Sequence, residues 1–294
     1  MEKSSNLVRE NHLEESRPDA ERIRSYLKVE QKKLAIEFQE KQKDIPVDEQ
    51  ITISSDFHII PPVKTYQEGH RRITEQYLRR HRDFSSPAEI MKDENERAGF
   101  VFEMLKTSIM HKKIGERFIV VRSSHYDDNI NKVDNVLVDR KTGHTICALD
   151  EVSPKSMQDG ESLKKQREIR MRNFGFVEKS EGFKAPRQIR IEQGVTLQYG
   201  IELVDGKIFC KEFHHLPIFL LNLDHEHLNQ GLRHFLNDQT SSEYEDKLFK
   251  YFLSSFSLQI QGFKLNTEEY AQLPNDMRER IESLEAFLKE QGIR

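Results

Sequence analysis

Lys132-Val133-Asp134-Asn135-Val136-Leu137-Val138-Asp139-Arg140-Lys141-Thr142-Gly143-His144-Thr145-Ile146-Cys147-Ala148-Leu149-Asp150-Glu151-Val152 reads as two β-strands joined by a tight turn at Asp139 to Gly143. The first strand opens with a carboxylate and the second closes with two. An antiparallel pair therefore brings Asp134, Asp150 and Glu151 to one end of a sheet, where a divalent metal can sit. Alternation puts Asp134, Val136 and Val138 on one face, Ile146, Ala148 and Asp150 on one face, and Cys147, Leu149 and Glu151 on the other. Both strands are apolar on both faces, which predicts a sheet covered on both sides. A carboxylate that ends such a strand must be solvated, hydrogen-bonded or metal-bound. Mg²⁺ takes oxygen ligands and often needs only one or two carboxylates besides water and phosphate oxygens. Asp134 with Asp150 or Glu151 meets that need, with Mn²⁺ as the alternative ion. Capping of a following helix is the structural alternative for the same acids.

Working outward, Ser86-Pro87-Ala88-Glu89 is a helix start with an N-cap, a first-turn proline and a capping-box glutamate. The helix is expected to run to about residue 111 with Met91, Ala98, Phe102, Leu105 and Ile109 as its apolar stripe. Phe118-Ile119-Val120-Val121 predicts a strand. Residues 160–173 read as a basic helix. Gln188–Gln198 and Gly200–Phe213 read as β-structure, with Asp205-Gly206 as a hairpin turn and Tyr199-Gly200 as a bulge or turn. Leu216–Leu223 reads as another strand. Asp224, Ser242 and Thr267 read as helix caps, so the C-terminal third is expected to be helical.

The resulting order is helix, strand, strand opening with Asp, strand ending in acid, basic helix. It resembles the PD-(D/E)xK nuclease superfamily, the restriction endonuclease-like fold. The resemblance rests on Gly99-Phe100-Val101-Phe102-Glu103, Val133-Asp134-Asn135-Val136-Leu137 and Ala148-Leu149-Asp150-Glu151-Val152. It implies Asp134 as the first metal ligand, Asp150 or Glu151 as the second acidic position, and Glu103 as the helix carboxylate, with Glu96 and Glu94 as alternatives. The family usually places a lysine two residues after the second acid. Here that position is Val152 or Ser153, according to which acid is counted. In some members a lysine arrives from the following helix, and Lys164 and Lys165 are placed for that, with Lys155 a further candidate.

The fold class expected is therefore α/β: a mixed central sheet flanked by helices, restriction endonuclease-like, with helical N- and C-terminal extensions. The expected divisions are a charged, partly disordered or helical extension over 1–50, an α/β nuclease-like core over 51–224, and a helical region over 225–294. Residues 20–43 in that first division read as an exposed or partner-seeking helix. The expected function is a metal-dependent phosphodiesterase (a nuclease) acting on DNA or RNA. The alternative is a catalytically inactive nuclease-fold binding or scaffold protein, with residues 1–50 as an arm for a protein partner.

The 294 residues carry 33% charged and 36% hydrophobic side chains and a net charge of −4, so no strong global field steers partners. Cations concentrate locally instead. Lys64, Arg71, Arg72, Arg79, Arg80 and Arg82 cluster in 64–82. In 160–190, Lys164, Lys165, Arg167, Arg170, Arg172, Lys179, Lys184, Arg187 and Arg190 outnumber Glu161, Glu168, Glu178 and Glu181. Such surfaces suit phosphate backbones, though they also suit plain solvated helix faces. The two cysteines, Cys147 and Cys210, have no metal-ligand spacing and read as buried thiols of a reducing compartment. With no long apolar run, a cytoplasmic protein without membrane attachment is expected. His214-His215 and His225-Glu226-His227 have poor geometry for one shared zinc, and Asp127-Asp128 reads as a turn pair.

Overall fold

A computed structural model describes residues 17–82, 94–154, 160–179 and 187–293. Helix α1 (Arg17–Lys41) is followed by two short strands, β1 (Thr52–Ile53) and β2 (Ile59–Ile60), then by helices α2 (Glu68–Arg82) and α3 (Glu94–Ile114). Strands β3 (Phe118–Arg122), β4 (Asn135–Asp139) and β5 (Thr145–Val152) come next, then helix α4 (Gly160–Asn173). Four strands follow: β6 (Phe176–Lys179), β7 (Arg187–Arg190), β8 (Val195–Val204) and β9 (Lys207–Leu216). The chain ends with β10 (Ile218–Asn222), α5 (His225–His234), α6 (Glu243–Leu265), α7 (Thr267–Ala271) and α8 (Asn275–Glu290).

The central sheet has the order β10-β5-β4-β3. β3, β4 and β5 form an antiparallel meander, with Val121 opposite Val136 and Val136 opposite Ala148. β10 then pairs in parallel with β5, Leu220 beside Asp150. Parallel neighbours need a crossover, and α4 lies in that connection. All five residues of β3, of β4 and of β10 are buried, as are seven of the eight in β5. That is the pattern of a sheet covered on both faces. One face carries Phe219, which meets Phe256 and Phe263 of α6 edge-on, and Phe118, which meets Phe287 of α8. The β8–β9 hairpin docks by Thr145 donating to the Ile201 carbonyl at 2.8 Å and by Leu203 N–H donating to Gly143 O at 2.8 Å. Gly143 has φ +78°, and a Cβ there would lie 2.0 Å from the Leu203 carbonyl oxygen, so this contact requires glycine.

The elements follow local rules with a few departures. Asp224 and Ser242 cap α5 and α6, the latter as a full capping box. The bulge at Tyr199-Gly200 is present as a register shift between Leu197 and Gly200. Asp205-Gly206 is the hairpin turn expected within Gly200–Phe213 and joins β8 to β9, whereas the segment expected at Gln188–Gln198 is broken between β7 and β8. Thr267 does not cap the last helix: Asn266 caps the five-residue α7, and the long α8 starts only at Asn275, after Pro274. The expected cap at Ser86–Glu89, like Lys155, lies outside the described residues.

α1 departs most from expectation. Ile23, Tyr26, Leu27, Leu34 and Phe38 are buried, and the helix packs on α3, β1 and α5. Tyr26 meets Phe235 edge-on at 5.5 Å. The mean polarity of the segment hid an apolar stripe at helical spacing (23, 27, 34, 38), so the exposed, partner-seeking reading of residues 20–43 is corrected. Among the described residues, one cluster of buried apolar side chains runs from Ile23 to Leu288. Among the described residues, no helix is long and apolar enough to cross a membrane.

Candidate active site

The meander ends its strands in a layer of charge. Asp134 precedes β4, where its N–H donates to Leu149 O at 3.0 Å and its carbonyl accepts from Ser123 N–H at 2.9 Å. Its backbone is thus pinned between β3 and β5. Its Oδ2 accepts the Glu151 N–H at 2.9 Å. Across the strand end, the Asp134 and Asp150 carboxyl groups act on each other. Burial, then the Asp134 charge, pushes Asp150 up to about 8.

From α4, Lys165 Nζ reaches Asp150 Oδ2 at 2.7 Å. Burial alone lowers this ammonium, but Asp150 and then Asp134 hold it above the usual lysine range. Lys164, the other lysine candidate, turns away: it is 79% exposed and faces Glu168 at 4.0 Å. Its expected place among the site groups is corrected, because successive helix residues project about 100° apart and only one can face the strand ends.

Glu103, on α3, holds Arg122 bidentately at 2.5 and 2.7 Å. Burial raises its carboxyl, the Asp134 charge raises it further, and Arg122 opposes both. The Glu151 carboxylate takes the other face of β5 and contacts the ammonium of Lys106. Glu151 therefore offers Asp134 its backbone N–H, while its side chain is paired elsewhere. The side chains of Glu94 and Glu96 lie outside the described residues.

Three groups in this layer were not expected there: Lys106 and Arg122 drew no reading, and Asp128 was read as part of a turn pair. Lys106 is fully buried and donates to Asn135 Oδ1 at 2.7 Å. Burial pushes it down to about 7, against the pull of Glu103 and Asp134. Asp128 is pushed up to about 8 by burial, then by Asp134 and Glu103. Arg122 ends β3. The available signal was Lys106 three residues after Glu103, inside an otherwise apolar run: a cation there needs an acid partner. Asp127, beside Asp128, is structural: it accepts from Ser124, Asn131 and the N–H groups of Gln198 and Tyr199 at 2.7–3.1 Å.

Five carboxyl groups (Glu103, Asp128, Asp134, Asp150, Glu151) thus face three cations (Lys106, Arg122, Lys165). The donors around Asp134 and Asp150 are oxygens, the set that suits Mg²⁺ or Mn²⁺. A cleft of about 770 Å³ opens beside Asp150 and Lys165 and is also lined by Lys132, Lys164, Arg167 and Arg172. The histidines behave differently. His227 binds the Asp224 cap at 2.7 Å and His225 binds the Ser153 carbonyl at 3.1 Å, so each ring of that pair has a separate partner. Compared with known proteins, the chain matches no family model, no curated protein and no solved structure.

Proposed function

We propose that this protein is a metal-dependent phosphodiesterase acting on nucleic acid, built on a restriction endonuclease-like core. The order α3-β3-β4-β5-α4-β10, with a meander and one parallel strand, supports the fold part of this reading. The observation that carries the chemistry is the triad Asp134, Asp150 and Lys165. An acid enters β4, an acid leaves β5, and an ammonium 2.7 Å from the second acid comes from α4. Lys165 thereby supplies the amine that Val152 and Ser153 lack. Asp134 and Asp150 would hold Mg²⁺ or Mn²⁺, which when bound lowers the pKa of water and offsets charge on a phosphate. Lys165 orients a water or stabilises negative charge on the phosphoryl oxygens. Arg122 holds Glu103 in place, and Lys106 holds Glu151 and Asn135, so both act as positioning residues. The cations of the cleft face the phosphate backbone.

The test is Mg²⁺ or Mn²⁺ calorimetry together with cleavage of DNA and RNA, comparing wild type, Asp134→Ala and Lys165→Met. The reading expects metal binding that Asp134→Ala abolishes, and cleavage that both variants reduce by at least about 10²-fold, the loss typical of one transition-state donor. Metal binding without cleavage of any nucleic acid would move the weight to a binding or scaffold protein on the same fold. Folded protein with no metal binding, even with nucleic acid present, would sink the reading.

A further inference from the structure

On the other side of Arg122 from Glu103, Asp56, His58 and His125 converge. Among the described residues this is the place where three side chains with metal-ligating atoms come together, all three atoms within 4.8 Å of one another. We propose that Asp56, His58 and His125 form a binding site for one transition-metal dication of the zinc class, separate from Asp134 and Asp150.

The tautomer of His58 is fixed. Its ring is buried, and Nδ1 lies 2.7 Å from the Ser123 carbonyl oxygen, which can only accept. Nδ1 therefore carries the proton, and Nε2 presents its lone pair. An imidazole tied by one nitrogen to a backbone carbonyl is the usual arrangement of a metal-bound histidine. Nε2 looks across to Asp56 Oδ2 at 3.8 Å, too far for a hydrogen bond. The other carboxylate oxygen, Oδ1, is held by the Ser54 hydroxyl, which leaves Oδ2 to face the gap. The His125 ring packs over His58 with centroids 3.9 Å apart and completes the third side.

The backbone is shaped to this end. Phe57, between the two ligands, has φ +70°, a conformation costly for an aromatic L-residue. Its N–H closes a turn on Ser54 O at 3.0 Å, and the Ser54 hydroxyl accepts the His58 N–H at 2.9 Å. This reversal aims Asp56 and His58 at one point. Phe57 O accepts the Arg122 N–H at 3.0 Å, which ties the turn to the end of β3.

Two nitrogens and one oxygen make a borderline-soft set that favours zinc over magnesium. Around a tetrahedral zinc with bonds of about 2.0–2.2 Å, ligand atoms stand about 3.3 Å apart. The present spacing, up to 4.8 Å, is wider than this, and the half-exposed Asp56 is the ligand with room to move. Arg122 Nη1 is 3.9 Å from Asp56 Oδ2, and its charge is matched by bidentate Glu103 on its other edge. Three protein ligands leave a fourth position for water on the solvent side of Asp56.

The full chain, stripped with chelator, is titrated with Zn²⁺ by calorimetry and with Co²⁺ by visible absorption. One Zn²⁺ per chain is expected, with a Co²⁺ d–d band of low coordination number. Asp56→Asn and His125→Gln should each weaken Zn²⁺ binding by at least about tenfold, as loss of even outer-sphere support does. The double variant Asp134→Asn/Asp150→Asn should keep it. His58→Gln sits in the core and is interpreted only if circular dichroism shows it folded; the two more exposed variants decide. Zinc binding that is absent, that survives both Asp56→Asn and His125→Gln, or that is lost with Asp134 and Asp150 instead would overturn the proposal.

Discussion

Asp150 and Lys106 show how burial sets the character of single groups in this layer. An aspartate raised to about 8 binds its proton in the folded chain over a pH range where the unfolded chain has lost it. Its contribution to stability is therefore complete below about pH 4 and declines as pH rises through 8. Lys106, lowered to about 7, behaves oppositely. It costs stability below pH 7, and that cost fades as pH rises toward the ordinary lysine value. Asp150→Asn removes the first effect and leaves the second. In chelator, the Tm of the variant minus that of the wild type should thus become more positive from pH 5 to pH 8. A difference independent of pH would show that Asp150 titrates as an ordinary acid. Asp134 was legible, and Asp150 only as one of two with Glu151, because the turn fixes which strand ends coincide but not which of two neighbouring acids meets Asp134. Lys165 was legible only as one of a pair, since the phase of α4 decides between neighbours. Lys106 and Asp128 were not legible. One is embedded in an apolar helix, the other in a turn whose π-helical path places it beside Asp134 by tertiary contact alone.

At the scale of elements, the placement of Lys165 depends on how α4 is fastened to β10. Asn173, the last residue of α4, accepts the Ile218 N–H at 2.9 Å and donates to the Ile218 carbonyl at 2.8 Å. At the other end, Asn222 donates to Ser162 at 2.8 Å and accepts from Tyr251 at 2.6 Å. The helix is thus clamped to both ends of the strand that pairs with β5. Asn173→Ala strands two buried backbone groups and should cost about 2–3 kcal/mol in urea denaturation. Because it loosens the crossover, it should also weaken Mn²⁺ or Mg²⁺ binding relative to a surface control such as Lys289→Ala. A loss below about 0.5 kcal/mol, the range of ordinary surface substitutions, would mean that the clamp is not needed. β3, β4, β5, β10, the β8–β9 turn and two of the caps followed from local rules, because alternation, Asp-Gly turns and capping boxes act within a few residues, whereas β2 and β6 were not expected. Boundaries failed where a neighbour overrode them. Asn266 outcompeted Thr267 as a cap, and α1 was pulled into the core by contacts more than a hundred residues away.

For the whole molecule, charge is nearly balanced, so attraction to a polyanion must be local. The net −4 rules out long-range steering by total charge. The cleft beside Asp150 nevertheless gathers Lys132, Lys164, Lys165, Arg167 and Arg172, with Glu168 as the other acid among the described residues. Lys164, which does not join the carboxylate layer, is free of a positioning duty there and is well exposed. It suits a phosphate contact, as does Arg172, which is braced by donating to the Asn131 carbonyl at 3.1 Å. Each phosphate neutralised releases condensed counterions, and on duplex DNA it steepens the slope of log K against log salt by about 0.9. Lys164→Ala/Arg172→Ala should therefore reduce that slope by about 1.8, weaken binding most at low salt, and leave Zn²⁺ binding unchanged. Fluorescence anisotropy with one labelled duplex across 50 to 200 mM salt, the range in which such contacts dominate, measures it. An unchanged slope would move the nucleic-acid surface away from α4, with the basic helix α2 as the next face to examine. Loss of affinity with no change in slope would mean that the two side chains shape the cleft and do not touch phosphate.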